Sequence, residues 1–393
     1  VVREQEEDAR VEILPSVELV SGVLSLTSWA DEFGPHSGGN EYFSSLSGLF
    51  SGQAAHPVVQ KTEDLIDQGF RHDAFPNFAV RLKGDDGLTV RHSYDRALVS
   101  RAGGVEELEE FRGAVADIAE EIEFFSFFSG NRQQYEMLVE TVADDMPARQ
   151  LVLWLEEFYG WRGDQYVTVL APAMFPSGGY GGTVVTAEGE IMMLNVIRAR
   201  DERGPVQFPT GERLAALALH EWGHSYVDPA LAQFSSDVAD LVPLFEPVES
   251  QMRQQHYGNV HVFANEQVLR AACALAMRDL YGEAAYERDI ARNEERGFYL
   301  TAHLAEFMEK EYRGNRERYE KFSDFVPDLL HEMKHLDPEE FAIRRWPITP
   351  DAVRPLFLGS VVLIAALWWL TIGLRRRRQQ MLEMDEDEEI YFE

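Results

Sequence analysis

The chain has 393 residues, of which 45% are hydrophobic, enough to bury a sizeable core in one large or two modest domains and too many for a disordered polymer. Acidic residues outnumber basic ones 68 to 36, a formal net charge of −32, which argues against binding the phosphate backbone of nucleic acids. The single cysteine, Cys273, lies in the apolar run "VLRAACALAM"; it permits no intrachain disulfide and reads as a buried core thiol.

In chain order, "VEILPSVELVSGVLSL" (11–26) is β-branched and apolar and predicts a strand or short helix, and the Gly/Ser-rich "FGPHSGGNEYFSSLSGLFSG" (33–52) predicts a loop. From about Val105 to Gly160 the apolar spacing turns helical, with three helices predicted over 104–130, 131–146 and 147–160. "DQYVTVLAPAMF" and "GTVVTAEGEIMMLNVI" read as strands on either side of "PSGGYGG", and they lead into "LALHEWGHSYVDP" (217–229). Further helices are predicted in "ANEQVLRAACALAMRDLYG", "ERGFYLTAHLAEFMEKEYRGN" and "DFVPDLLHEMKHL". The Pro-containing stretch 341–355 reads as a stiff tether. Leu356–Leu374 is free of charge and, at about 1.5 Å per residue, reaches about 28 Å as a helix, close to bilayer thickness, so a membrane span is expected there. Arg375–Arg378 follow directly and place the basic then acidic tail 375–393 in the cytoplasm and the rest of the chain outside it. The chain starts "VVREQEEDAR", so a removed signal peptide is the natural inference from that orientation.

The pentad His-Glu-x-x-His occurs twice, at 220–224 and at 331–335. Two histidines at i and i+4 share one face of a helix and can converge on one tetrahedral Zn²⁺, while the glutamate beside the first can serve as general base for a zinc-activated water. The first pentad lies in a segment that is apolar nearly all round, with Leu214, Leu217, Leu219 and Trp222, and is expected to be buried. Unpaired imidazoles and a carboxylate would be costly there, and a shared metal satisfies them. Thr210 is the expected N-cap, and Asp228-Pro229 the expected end, because a residue preceding proline avoids helical geometry. Around the second pentad Leu329, Leu330, Met333 and Leu336 cluster on one side of the wheel, leaving His331 and His335 on the solvent face with no later soluble helix to add a ligand. Downstream of the first pentad, Glu266 opens a helix with Arg270 one turn on, positioned to hold the carboxylate. Asp228, one turn after His224, could orient that imidazole or merely end the helix.

The residues "HEWGHSYVDP", "NEQVLRA", "HPVVQKTEDLIDQGFRHDA", "SGGYGG" and "FSDFVPDLL" together resemble an uncharacterised bacterial exported family with a gluzincin-like domain, over most of residues 8–337. Asn265-Glu266 looks like the Asn-Glu pair in which gluzincins carry their third zinc ligand; the acidic residue usual a few positions later is absent. The resemblance implies an α+β, zincin-like metallopeptidase fold with His220, His224 and Glu266 on zinc and Glu221 as base. The expected organisation is a mainly helical part (1–165), a zinc-site region (166–340), the tether (341–355), the membrane helix (356–374) and the tail (375–393). The function expected is membrane-anchored hydrolysis of peptide or protein substrates outside the cytoplasm. Tyr257 and His261 are the leading candidates to stabilise the oxyanion, with His256 and Tyr180 behind them. The strand region before the zinc helix, from about Thr183 to Asn195, offers an edge to which an extended peptide could add. The alternative is a membrane-anchored binding or scaffolding protein with a structural or vestigial metal site.

Overall fold

The computed structural model describes residues 2–4, 9–33, 39–84, 87–174, 179–200 and 203–343. Five short strands, β1 (Val2–Glu4), β2 (Ala9–Glu12), β3 (Gln165–Ala171), β4 (Gly179–Val185) and β5 (Ile191–Arg198), form one mixed sheet in the order β1-β2-β3-β5-β4. The three inner strands run parallel, with Ala9 opposite Tyr166 and Gln165 opposite Met192. Both outer strands are antiparallel, so β4 turns back on β5 and pairs Gly181 with Asn195. A parallel pair needs a crossover, and the β2–β3 crossover consists of the helices between Pro15 and Tyr159.

The molecule is mostly helical around this small sheet. That corrects the expectation of an α+β, zincin-like domain followed by a membrane helix. Among the described residues no helix is long and apolar enough to cross a membrane. The two longest, Gly211–Ala232 and Val260–Tyr281, have the length but carry Glu221 and Asp228, and Glu266, Arg270 and Arg278, along their course, which hydrocarbon would not tolerate. The expected span 356–374, most of the tether and the tail lie outside the described residues. Val1–Leu336 makes one unit, whose sheet takes strands from both sides of position 165; the chain from Asp337 belongs to a second unit, of which the helix Pro338–Ile343 is described.

Local chemistry explains most helix limits. Pro15 and Pro57 sit in the first turns of Pro15–Leu24 and Pro57–Asp67, where a missing N–H costs nothing. Gly160, left-handed at φ 76°, caps Ala148–Tyr159. The Gly/Ser-rich stretch expected to be a loop contains a helix, Glu41–Leu49, capped by the Asn40 side chain accepting from the Phe43 N–H at 2.8 Å. Its few apolar residues suffice, since Tyr42, Phe43 and Leu46 are all buried. The helix expected over 104–130 breaks after Glu121 and restarts at Phe124, with Glu123 between in a left-handed conformation (φ 51°).

Candidate metal centre

The helix Gly211–Ala232, here the His helix, begins with Thr210 at its N-cap; the threonine side chain makes no capping bond, and Asp145 accepts from the Gly211 N–H instead at 2.5 Å. It does not end at Asp228. Pro229 lies inside the helix and is exposed, so its ring stands on the solvent side, and the buried Ala230 and Leu231 hold the last turn in place. Aromatic packing fixes the rest. The Trp222 indole donates to Val167 O on β3 at 3.4 Å, Tyr226 shares a 2.6 Å hydrogen bond with Tyr166, and Tyr159 stacks on Tyr226. Gly223 lets the Glu266 helix (Val260–Tyr281) come close, because a Cβ there would stand 2.4 Å from Leu269.

These two helices bring His220, His224 and Glu266 together, with their ligand atoms all within 4.8 Å of one another. His220 Nε2 lies 3.7 Å from Glu266 Oε2 and His224 Nε2 lies 3.6 Å from Oε1. Tetrahedral ligands about 2.1 Å from a zinc ion stand about 3.4 Å apart, so each of the two histidine–glutamate distances exceeds that spacing by only tenths of an ångström. The donor set, two imidazoles and a carboxylate, is one that zinc accepts. Glu266 Oε2 is buried without a hydrogen bond; Arg270 Nη2 meets it at 2.6 Å as an ion pair, off the hydrogen-bonding direction. A cation therefore fits the site on both geometry and chemistry.

Neighbouring groups set the orientation of each ligand. His224 Nδ1 is 3.2 Å from Asp228 Oδ1, and Asn265 Nδ2 donates to the same oxygen at 3.0 Å. A carboxylate only accepts, so Nδ1 carries a proton and Nε2 faces Glu266, where it would give up its own proton to take a metal. The acidic residue missing after Asn265-Glu266 thus has a counterpart on the His helix itself. Burial pushes against charge on Glu266, but Arg270, His220 and His224 outweigh it and hold the carboxyl down to about 2. His224 is likewise disfavoured by burial, yet Asp228 raises it to about 10, whereas burial alone dominates at His220 and lowers it.

Glu221 is 5% exposed, and burial pushes its carboxyl up to about 7. β4 lies directly against it. The Gly181 N–H donates to its carboxylate, a Cβ on Gly179 would stand 2.5 Å from Oε1, and one on Gly181 would stand 2.2 Å from the Glu221 carbonyl oxygen. Only glycine allows that approach. Ser225 pins the same strand by donating to Gly182 O at 3.1 Å.

Of the oxyanion candidates, Tyr257 adjoins the centre: its hydroxyl accepts from Arg270 Nη2 at 3.3 Å, which leaves its own proton available. His261 is exposed in the first turn of the Glu266 helix and no described contact joins it to the ligands. His256, left-handed at φ 70°, has its ring 4.5 Å from that of His72 and tilted by 44° to it; His72 is also left-handed. Tyr180 is half-buried on β4 and feels the charge of Glu221.

The second pentad is built differently. His331 and His335 are exposed, Glu332 pairs with His303 at 2.9 Å, and Lys334 binds Asp237 and Asp240. Leu329, Leu330 and Met333 face the core, as the helical wheel indicates.

The fold and site together define a mostly helical protein in which two half-buried histidines and a buried carboxylate cluster beside a sheet-edge strand. The chain belongs to the family described as domain of unknown function (DUF4932), whose model matches residues 69–332, more than half of its length. No curated protein and no solved structure matches it.

Proposed function

We propose that the protein is a zinc-dependent hydrolase of peptide bonds, with His220, His224 and Glu266 as metal ligands and Glu221 as general base. The observation that carries this reading is the convergence of three ligand atoms from two buried helices with a fourth, unliganded carboxylate beside them. A structural metal site would have no use for that carboxylate.

When bound, zinc supplies Lewis-acid activation of water and of the scissile carbonyl. The chain's residues do the rest. Glu221 takes the proton from the attacking water and returns it to the leaving amine, and the Gly181 N–H keeps its carboxylate in place. Tyr257 donates its free proton to the oxygen on which charge develops. Asp228 holds the His224 ring and Arg270 holds Glu266. β4 is an edge strand, but its Gly182 and Thr183 carbonyls accept from Ser225 and Arg81. The Gly181 N–H is likewise engaged with Glu221, so an extended peptide would pair with the Gly179 end of the strand.

The test is metal content and hydrolysis of a mixed peptide library, wild type beside Glu221→Gln. Stoichiometric zinc in both and a loss of hydrolysis of about 10²–10⁴-fold in the variant are expected. Wild-type protein without zinc, or activity that survives the substitution, would overturn the proposal.

A further inference from the structure

Arg270 is an unusual neighbour for a metal ligand. It is 7% exposed, its Nη2 meets Glu266, and its Cζ lies 3.9 Å above the Phe298 ring. Nη2 also donates to the Tyr257 hydroxyl at 3.3 Å, but contacts at a single nitrogen do not fix a planar guanidinium, which can still rotate about that nitrogen. The second point of attachment comes from the adjoining helix Glu283–Glu295. Arg270 Nη1 donates to Asn293 Oδ1 at 3.0 Å, and Asn293 Nδ2 donates to Asp289 Oδ2 at 3.0 Å. The orientation of the amide is unambiguous, because guanidinium can only donate and carboxylate can only accept. Asn293 is 3% exposed and Asp289 9%. Asp289 opens on one side into a cavity of about 120 Å³ and has Arg292 at 3.6 Å, so the chain of bonds ends at a partly solvated carboxylate rather than at an orphaned group.

We infer that Asn293, anchored by Asp289, is a positioning residue for the metal centre: through Arg270 it sets where the Glu266 carboxylate stands, and hence how tightly the ion is held. The inference rests on the metal-site reading proposed above. Groups that orient metal ligands at one remove are commonly worth about 10–100-fold in affinity. Here the path runs through two intervening side chains, Asn293 and Arg270, joined by two 3.0 Å hydrogen bonds. Removing the amide would leave Nη1 unpaired in the interior and free Glu266 to swing with the guanidinium.

The experiment measures Zn²⁺ affinity by chelator competition, the visible absorption of the Co²⁺-loaded protein and the thermal midpoint of the metal-free protein. Wild type is compared with Asn293→Ala, Asp289→Ala and Asp289→Asn. Asn293→Ala and Asp289→Ala are expected to weaken Zn²⁺ binding about 10–100-fold and to alter the Co²⁺ spectrum, which reports ligand geometry. Asp289→Asn keeps an acceptor for Asn293 and should stay within about threefold of wild type, about 0.7 kcal/mol. A purely structural role would lower the metal-free midpoint while leaving affinity and spectrum unchanged, and that result would overturn the inference alone. A loss in Asp289→Asn as large as in Asp289→Ala would also overturn it, since the amide discards only the charge. Should Asn293→Ala fail to fold, the two Asp289 variants decide. Wild type that binds neither metal would sink the metal-site reading, and the inference with it.

Discussion

Glu18 shows what a single residue can impose on stability. It lies on Pro15–Leu24 with no exposed surface, and neither carboxyl oxygen has a hydrogen bond of good geometry. Burial pushes its pKa from 4.5 up to about 8, while Tyr42 and the Ala173 backbone pull more weakly the other way. The unfolded chain therefore releases this proton near pH 4.5 and the folded chain keeps it to about pH 8. The folded state binds more protons throughout that window, so stability contributed by the neutral carboxyl is full below pH 4.5 and is lost as pH rises to about 8. The whole shift corresponds to roughly 5 kcal/mol at most. Glu18→Gln should remove this dependence. Urea unfolding in the presence of chelator is expected to show the variant gaining several kcal/mol on wild type between pH 5 and pH 8.5; parallel stability curves would show that Glu18 is not held neutral. Glu221 differs in degree: burial raises it too, but the nearby His224, with the Gly181 N–H, favours its charged form and holds it to about 7.

At the scale of elements, two helices carry the same pentad and only one is set into the interior. The His helix meets β3, β4 and the Glu266 helix through Trp222, Ser225 and Gly223, whereas Phe322–Lys334 turns its histidines to solvent. His331→Ala with His335→Ala is therefore expected to leave zinc stoichiometry unchanged and stability within about 0.5 kcal/mol, while His220→Ala or His224→Ala abolishes zinc binding. Equilibrium dialysis of the variants checks this, and the opposite pattern would transfer the site to the second helix. This contrast was legible in the sequence, because heptad-scale apolar spacing states which face is buried. So was the pairing of His220 with His224, whose i, i+4 spacing is a local matter, while Glu266 was pointed to by the resemblance. Other features were not. Asp228 could have ended the helix or oriented His224, and the two readings share the same letters; only the Asn265 contact separates them. Pro229 was misread because local sterics make a helix end before proline favourable but not obligatory. Asn293 gave no signal at all, being an amide in a polar helix whose partners come from other parts of the chain.

The whole molecule makes the metal centre a joint between distant parts of the sequence. The sheet that supports it pairs residues near position 10 with residues near 166, a long-range match that strand patterns do not reveal, and this is why helical content and sheet order were less legible than the individual helices. The His helix and the Glu266 helix are held by side-chain packing and, in the proposed active form, by an ion bound to both. A ligand that binds only the folded state stabilises it by mass action, about 2.7 kcal/mol at one hundred times its Kd. In a domain of 150–250 residues each kcal/mol moves the thermal midpoint by about 2–4 °C, and the larger unit here should respond somewhat less. A rise of roughly 5–8 °C is thus expected when free zinc replaces chelator in calorimetry of the whole chain. His224→Ala should show no such rise, because with one imbedded ligand lost the ion no longer ties the His helix to Glu266. Equal midpoints for wild type in zinc and in chelator would mean that the two helices do not share an ion, however well their side chains are arranged to take one.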